Sequence, residues 1–284
     1  MKTIFYKYQG AGNDFLIADN RNGEIVLTTG QIAALCDRRY GIGADGLMLL
    51  ETPDDGVQAD FRMTYYNSDG SGGMMCGNGG RCIVAFAADM GIESYDFIAA
   101  DGPHHAEILE NDGRVKTVRL GMKDVSSYVH YDALEGLDVP SEGYFLDTGT
   151  RHYVRIVEGL ENYDVTGEGR TIRYGAKELQ PIGANVNFIE PSDGGILKVR
   201  TYEKGVEDET FACGTGIVAS CITAYVAGIQ PSECLADGKL KYDVRAKRDR
   251  LSVDFKASDP ACGVAEDVYL TGPATFIAEI IVTL

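Results

Sequence analysis

Basic residues are scarce in this chain. Against 43 aspartates and glutamates stand 26 lysines and arginines, a formal net charge of −17. Phosphate-rich partners need basic patches, so this balance argues against nucleic acid and against an anionic membrane surface. Long apolar runs are missing too. Nothing approaches the roughly 20 residues of a membrane span, and Met1-Lys2-Thr3-Ile4-Phe5-Tyr6-Lys7 lacks the apolar core of a secretion signal. Seven cysteines are an odd number, and none form a C-x-x-C pair, which is not the pattern of a disulfide framework. A reducing, cytoplasmic setting is expected, and it would keep thiols free. The four histidines, at 104, 105, 130 and 152, stand at no metal-ligand spacing from a cysteine, so a zinc site is not expected.

What the chain does have is an internal repeat. At 284 residues and 44% hydrophobic content it can bury cores for two domains. Shifting the sequence by 137 positions lays Cys76 on Cys213, Gly77 on Gly214 and Gly79 on Gly216. The same shift pairs Thr64-Tyr65 with Thr201-Tyr202, Gly91-Ile92 with Gly228-Ile229, and Gly12 with Gly149. This period is too long for a solenoid and reads as two homologous halves. Each half carries a cysteine, a glycine-rich stretch and an apolar run such as Ile83 to Ala88. Glycines there would permit a turn of positive φ and close approach of a ligand. A following helix would direct its N–H groups and positive dipole end at the cysteine, lowering the thiol's pKa and attracting a carboxylate. A lone Cys-Gly is more often a core cysteine beside a turn; the register of two such stretches favours the functional reading.

Strands are expected over residues 3–8, 15–19, 47–50, 60–66, 115–120, 143–147, 152–157, 184–189, 197–202, 251–255 and 275–283, with helices at 29–39, after Cys76, and at 217–227. Gly41 to Gly46 has the letters of a dinucleotide fingerprint, but it follows a helix and precedes a strand, the reverse of the required order. The expected fold is α+β: two pseudo-symmetric domains, each a barrel-like sheet around a central helix, with the active site in the cleft between them. An apolar helix must be buried, and no linker rich in Pro or Ser separates the halves. Two matched proton-transfer groups suit a nearly symmetric reaction such as inversion of a stereocentre.

Gly10-Ala11-Gly12-Asn13-Asp14-Phe15, Arg39 to Gly46, Tyr66 to Ser71, Met75 to Cys82, Asn185-Val186-Asn187-Phe188, and Tyr202-Glu203-Lys204-Gly205 leading to Ala212-Cys213-Gly214-Thr215-Gly216 resemble diaminopimelate epimerases, in order along nearly the whole chain. The resemblance implies epimerisation of LL- to meso-diaminopimelate, for lysine and cell-wall synthesis, without pyridoxal phosphate or metal. By position, Cys76 and Cys213 would be the acid/base pair, with His152 and Glu203 adjusting their protonation. Asn13, Asn67, Asn185, Glu203 and Lys204 would contact substrate, and backbone groups of Gly77-Asn78 and Gly214-Thr215 would hold its reacting carboxylate. The C-terminal strand would return to the first domain, giving domains of 1–118 plus 273–284 and of 119–272. The partner implied is a small amino acid, with a homodimer left open.

Two departures touch the substrate's distal end. The family's Gly-Asn-Pro-His is here Gly149-Thr150-Arg151-His152, and its Glu-Arg-Gly is Glu203-Lys204-Gly205. Lysine offers a point charge where arginine offers a fork; Arg151 would either supply the missing guanidinium or point to solvent. A related racemase of the proline racemase type is the nearest rival reading, and a thiol redox protein using both cysteines as a reversible disulfide is a more distant one.

Overall fold

The computed structural model describes residues 2–73, 75–261 and 265–284. They fall into two compact units, one running to Gly121 and taking back Thr271–Leu284, the other Met122–Leu270.

The first unit contains β1 (Lys2–Gly10), β2 (Asn13–Asp19), α1 (Thr29–Cys36), β3 (Gly46–Glu51), β4 (Phe61–Asn67), α2 (Gly77–Asp89), β5 (Asp96–Ala99), β6 (Gly102–Asn111) and β7 (Val115–Gly121). Consecutive strands pair in order, with β2–β3 and β4–β5 parallel and the rest antiparallel. The chain's last strand (Ala265–Thr283) pairs with β7 through Gly272–Thr275 and with β1 through Thr275–Thr283. The eight strands thus close on themselves, and a closed sheet leaves no open edge.

Helix α2 packs against β1, β2, β3, β6 and β7, and every residue from Gly77 to Ala87 is buried. Its start differs from expectation. The glycines after Cys76 were expected to supply a turn of positive φ, yet they are the first helical residues. Close packing is the reason they are glycine: a Cβ on Gly80 would stand 2.7 Å from Leu120 Cδ2. α1 also departs, ending at Cys36 rather than near residue 39. The Asp37 carboxylate accepts the N–H groups of Arg39 and Tyr40, so a local turn replaces the next helical turn. Its start is a capping box of Thr28 and Gln31.

The second unit contains β8 (Tyr128–Tyr131), β9 (Gly143–Asp147), β10 (Arg151–Ile156), α3 (Val165–Gly175), β11 (Asn185–Pro191), β12 (Leu197–Glu203), β13 (Asp208–Thr210), α4 (Gly214–Val226), β14 (Glu233–Cys234), β15 (Leu240–Arg245), β16 (Arg250–Ala257) and the start of β17, the last strand already described, up to Leu270. From β9 onward the pairing repeats that of the first unit. β9 is antiparallel to β10, β10 parallel to β11, β11 antiparallel to β12, β12 parallel to β15, and β15 antiparallel to β16. α4 packs on β9, β10, β11, β12 and β16 as α2 does on its own strands.

The repeat's glycines have matched backbone duties. Gly12 and Gly149 sit in the turns before β2 and β10 at φ 92° and 101°. Gly91 and Gly228 follow α2 and α4 at φ 81° and 77°. In each case the next residue's N–H reaches back to a helical carbonyl, Ile92 to Ala87 and Ile229 to Ala224, which is a Schellman stop.

Helix α3 was not anticipated, because Gly167 and Gly169 weaken its helical pattern. Asp164 caps it, and Gly169 lets it lie on Tyr202, whose Cβ would be 2.4 Å from an added methyl.

Phe86 is fully buried on α2, with ring centroids 5.1 Å from Tyr6 and 5.9 Å from Tyr8. Phe86→Ala should therefore cost about 3–5 kcal/mol, read as a lowered midpoint in chemical denaturation; a midpoint within error of the wild type would contradict this packing.

Candidate active site

Burial sorts the cysteines. Burial pushes the thiol of Cys36 up to about 11 and those of Cys82 and Cys221 well above the usual range, so these three stay protonated. Cys234 lies exposed in a two-residue strand, and Cys262 is outside the described residues. Cys76 and Cys213 differ from all of these, because each is the N-cap of its unit's central helix. A helix leaves its first N–H groups without intrahelical partners and concentrates positive potential there.

In the first unit, Cys76 Sγ accepts the Gly79 N–H at 3.2 Å. Asn78, buried in the first helical turn, donates its amide to Asn13 Oδ1 at 2.5 Å. Asn13 in turn donates to Asp45 at 3.1 Å, and Asp45 also takes the Asp14 N–H. Arg38 grips both Asp14 and Asp45. Burial would raise the Asp14 carboxyl, but hydrogen bonds from Arg38 and Lys7 more than offset it and leave it below its ordinary range. Arg81, with no exposed surface, donates to the Gly77 carbonyl at 3.2 Å and to Asn78 Oδ1 at 2.9 Å. Asn67 closes its own loop by donating to Ser71 Oγ at 3.0 Å. Asn13 and Asn78 thus tie the turn before β2 to the first turn of α2, Asn67 closes the loop after β4, and Gly77 starts the helix.

In the second unit, His152 is fully buried and burial alone drives its pKa down to about 3, so the ring is neutral. Its Nε2 lies 2.9 Å from the hydroxyls of both Thr150 and Thr215. Thr215 Oγ1 stands 3.5 Å from Cys213 Sγ. Asn185 donates to the Arg151 carbonyl and accepts the Lys204 N–H at 2.9 Å, tying the ends of β10, β11 and β12 together. Glu203 accepts the Thr210 hydroxyl at 2.9 Å, and the Lys204 side chain is exposed. The structure therefore joins His152, Thr215 and Cys213 in one network, with Gly214 as the first helical residue. Arg151 does not point to solvent: its guanidinium lies 5.0 Å from the Phe145 ring and donates to the Leu179 carbonyl.

Several supporting residues had no assigned role in the sequence: Arg38, Asp45, Arg81, Thr148 and Asn187. The signal for Asn187 was its strand alternation with Asn185, which puts both on one face of β11. Arg81 could have been noticed as one charge inside an apolar helix.

The two-unit, helix-centred fold is shared with solved structures of PhzF-family and proline racemase proteins. A PhzF-family phenazine biosynthesis protein of Bacillus anthracis superposes with a TM-score of 0.71 at 16% identity, all of both chains being covered. A probable proline racemase of Agrobacterium radiobacter superposes with a TM-score of 0.68 at 17% identity, over 99% of this chain and 93% of the other. Within that fold the chain belongs to the diaminopimelate epimerase family, whose model matches residues 5–125 and 144–277. Diaminopimelate epimerases of Flavobacterium psychrophilum and Chlorobaculum tepidum are each 42% identical to it, over 96% and 97% of this chain and 98% and 99% of theirs. That of Aquifex aeolicus is 40% identical over 97% of this chain and 96% of its own.

Because folding lowers the His152 pKa from 6.5 to about 3, the unfolded chain takes up this proton first. The stability contributed by the neutral ring is complete above pH 6.5 and is lost as pH falls toward 3. The stability gap between wild type and His152→Gln should narrow across that window in denaturation curves at stepped pH; a constant gap would mean the ring is not buried neutral.

Proposed function

We propose that the chain interconverts LL- and meso-2,6-diaminopimelate, with Cys76 and Cys213 as the two bases. The carrying observation is that the two cysteines of the repeat, both inside the family match, are the N-caps of the two buried central helices. One thiolate takes the α-proton from one face of the carbon, and the other thiol delivers a proton to the opposite face. The α-proton is a very weak acid, so carbanion character has to be stabilised as it develops. N–H groups of Gly77-Asn78 and Gly214-Thr215 would take the carboxylate into which that charge spreads. Asn13, Asn67, Asn185, Glu203 and Lys204 are read as the residues that receive the rest of the substrate. His152 and Glu203 are read as groups that adjust the thiols. The chemistry asks only for proton transfer, so pyridoxal phosphate and metal are not part of the reading. We read the enzyme as cytoplasmic and without nucleic-acid partners, in keeping with its net charge of −17.

Cys76→Ala and Cys213→Ala should each abolish epimerisation while leaving thermal unfolding nearly unchanged. In heavy water the wild type should load deuterium at the α-carbon of diaminopimelate. Turnover of proline or hydroxyproline in place of diaminopimelate would move the assignment to the proline racemase type, whose fold it shares. Full activity of either alanine variant would end the two-base reading.

Lys204 is exposed, whereas Arg151 is engaged by Leu179 and Phe145 of its own unit. A charge-assisted contact contributes about 1.5–3 kcal/mol, roughly one to two powers of ten in binding. Lys204→Ala should raise KM for diaminopimelate by about that factor, and Arg151→Ala should leave it unchanged. The reverse pattern in steady-state kinetics would make Arg151 the distal cation.

A further inference from the structure

The hydrogen bonds around His152 have a direction. Asn187, fully buried, places its Nδ2 3.1 Å from His152 Nδ1 and 3.2 Å from the Tyr153 carbonyl. Its Oδ1 accepts the Thr201 hydroxyl at 2.9 Å. A flipped amide would set two oxygens against each other at Tyr153, so the N–H groups must face the carbonyl and the ring. Nδ1 of His152 is therefore an acceptor, and the ring's single proton sits on Nε2. That nitrogen faces Thr150 and Thr215 as a donor and can accept nothing from them. The two hydroxyls are 3.0 Å apart, and Thr148 fixes the turn by donating to the Thr215 carbonyl at 3.0 Å. With the ring donating inward, the hydroxyl proton of Thr215 is available to Cys213 Sγ, 3.5 Å away.

We propose that the Thr215 side chain is a positioning residue that tunes Cys213, its hydroxyl turned toward the sulfur by the Asn187–His152 pair so that the thiolate is favoured. The proposal rests on reading Cys213 as one of the two bases. A hydrogen bond given to the charged form lowers the pKa of a thiol. It also makes the two halves chemically unlike: Cys76 receives a backbone N–H from Gly79, Cys213 a side-chain hydroxyl. Apart from Arg250, exposed at the start of β16, the charged side chains on the strands around α4 have partners of their own. Asp147 on β9 takes the Gly149 N–H, Arg151 and Arg155 on β10 hold the Leu179 carbonyl and Glu168, and Glu190 on β11 pairs with Lys198. On β12, Arg200 pairs with Glu209 and Glu203 takes the Thr210 hydroxyl; on β16, Asp254 pairs with Lys239. None contributes to the shift of the ring, which burial alone produces.

The test is the pH dependence of alkylation by iodoacetamide, followed at each cysteine by peptide mass spectrometry on substrate-free enzyme. In Thr215→Val the midpoint for Cys213 should rise by about one unit, with that for Cys76 unchanged. Thr215→Ser, which keeps the hydroxyl, should restore the wild-type midpoint. An unmoved Cys213 midpoint in the valine variant, an equal shift at Cys76, or no rescue by serine would each overturn the proposal. The readout needs no turnover. A wild type that fails to epimerise diaminopimelate but shows the shift would sink the proposed function alone, while normal turnover without the shift would sink the tuning alone.

Discussion

Everything in each unit depends on burying one nearly all-apolar helix inside strands. Gly77 to Ala87 of α2 are all buried, and so are most residues of α4 from Gly214 to Ala224. Such a helix gains by hydrophobic burial along its length, but its first turn carries N–H groups that need polar company. The interior therefore has to supply polar groups at one end of an otherwise apolar element. Those groups are a cysteine cap, glycines thin enough to pack, and asparagine, threonine and histidine side chains from the strand ends. The chemistry of the protein is located where the apolar solution breaks down.

The two units solve this problem on one scaffold with different side chains. Strand senses, turn glycines and the Schellman stops coincide position by position. The polar support does not. Around Cys76 it is an ionic chain, Arg38 to Asp45 to Asn13 to Asn78, with Arg81 one helical turn further along α2. Around Cys213 it is a neutral one, Asn187 to His152 to Thr215. The buried parts of such a network have to be satisfied to be tolerated; in the first unit the chain runs from the exposed Arg38 inward to Asn78, in the second it is buried from Asn187 to His152. A reaction that inverts a stereocentre is nearly symmetric in its proton transfers but acts on a carbon whose other three substituents all differ, so a shared scaffold with divergent polar groups fits that task.

Much of this was legible in the chain itself. The 137-residue repeat placed Cys76 and Cys213 in equivalent positions, and the apolar runs after them required buried helices. The turns at Gly12 and Gly149 could be read locally, because positive φ is a demand that glycine meets wherever it occurs, while the pairing of Gly91 with Gly228 in the repeat marked equivalent positions that prove to be helix ends. Family resemblance over the whole length supplied the candidate roles. Local pattern was a poor guide where packing outweighed propensity: Gly80 sits inside α2 because Leu120 leaves no room for a Cβ there, and α3 forms on Tyr202 despite two glycines.

The sequence by itself determined the repeat, the two thiols, the two central helices and most of the longer strands, since these follow from periodicity and residue type, which are properties of neighbours along the chain. Only the tertiary structure decided what each polar side chain bonds to. Arg151 lies on Phe145, Asn187 orients His152, and Thr215 links His152 to Cys213. The two longest-range of these contacts, Asn187 to His152 and His152 to Thr215, join residues 35 and 63 apart, which the pairing of β10 with β11 and the packing of α4 on β10 bring within hydrogen-bond reach. Hydrogen bonding is set by ångström-scale distance and direction, and no one-dimensional pattern carries either.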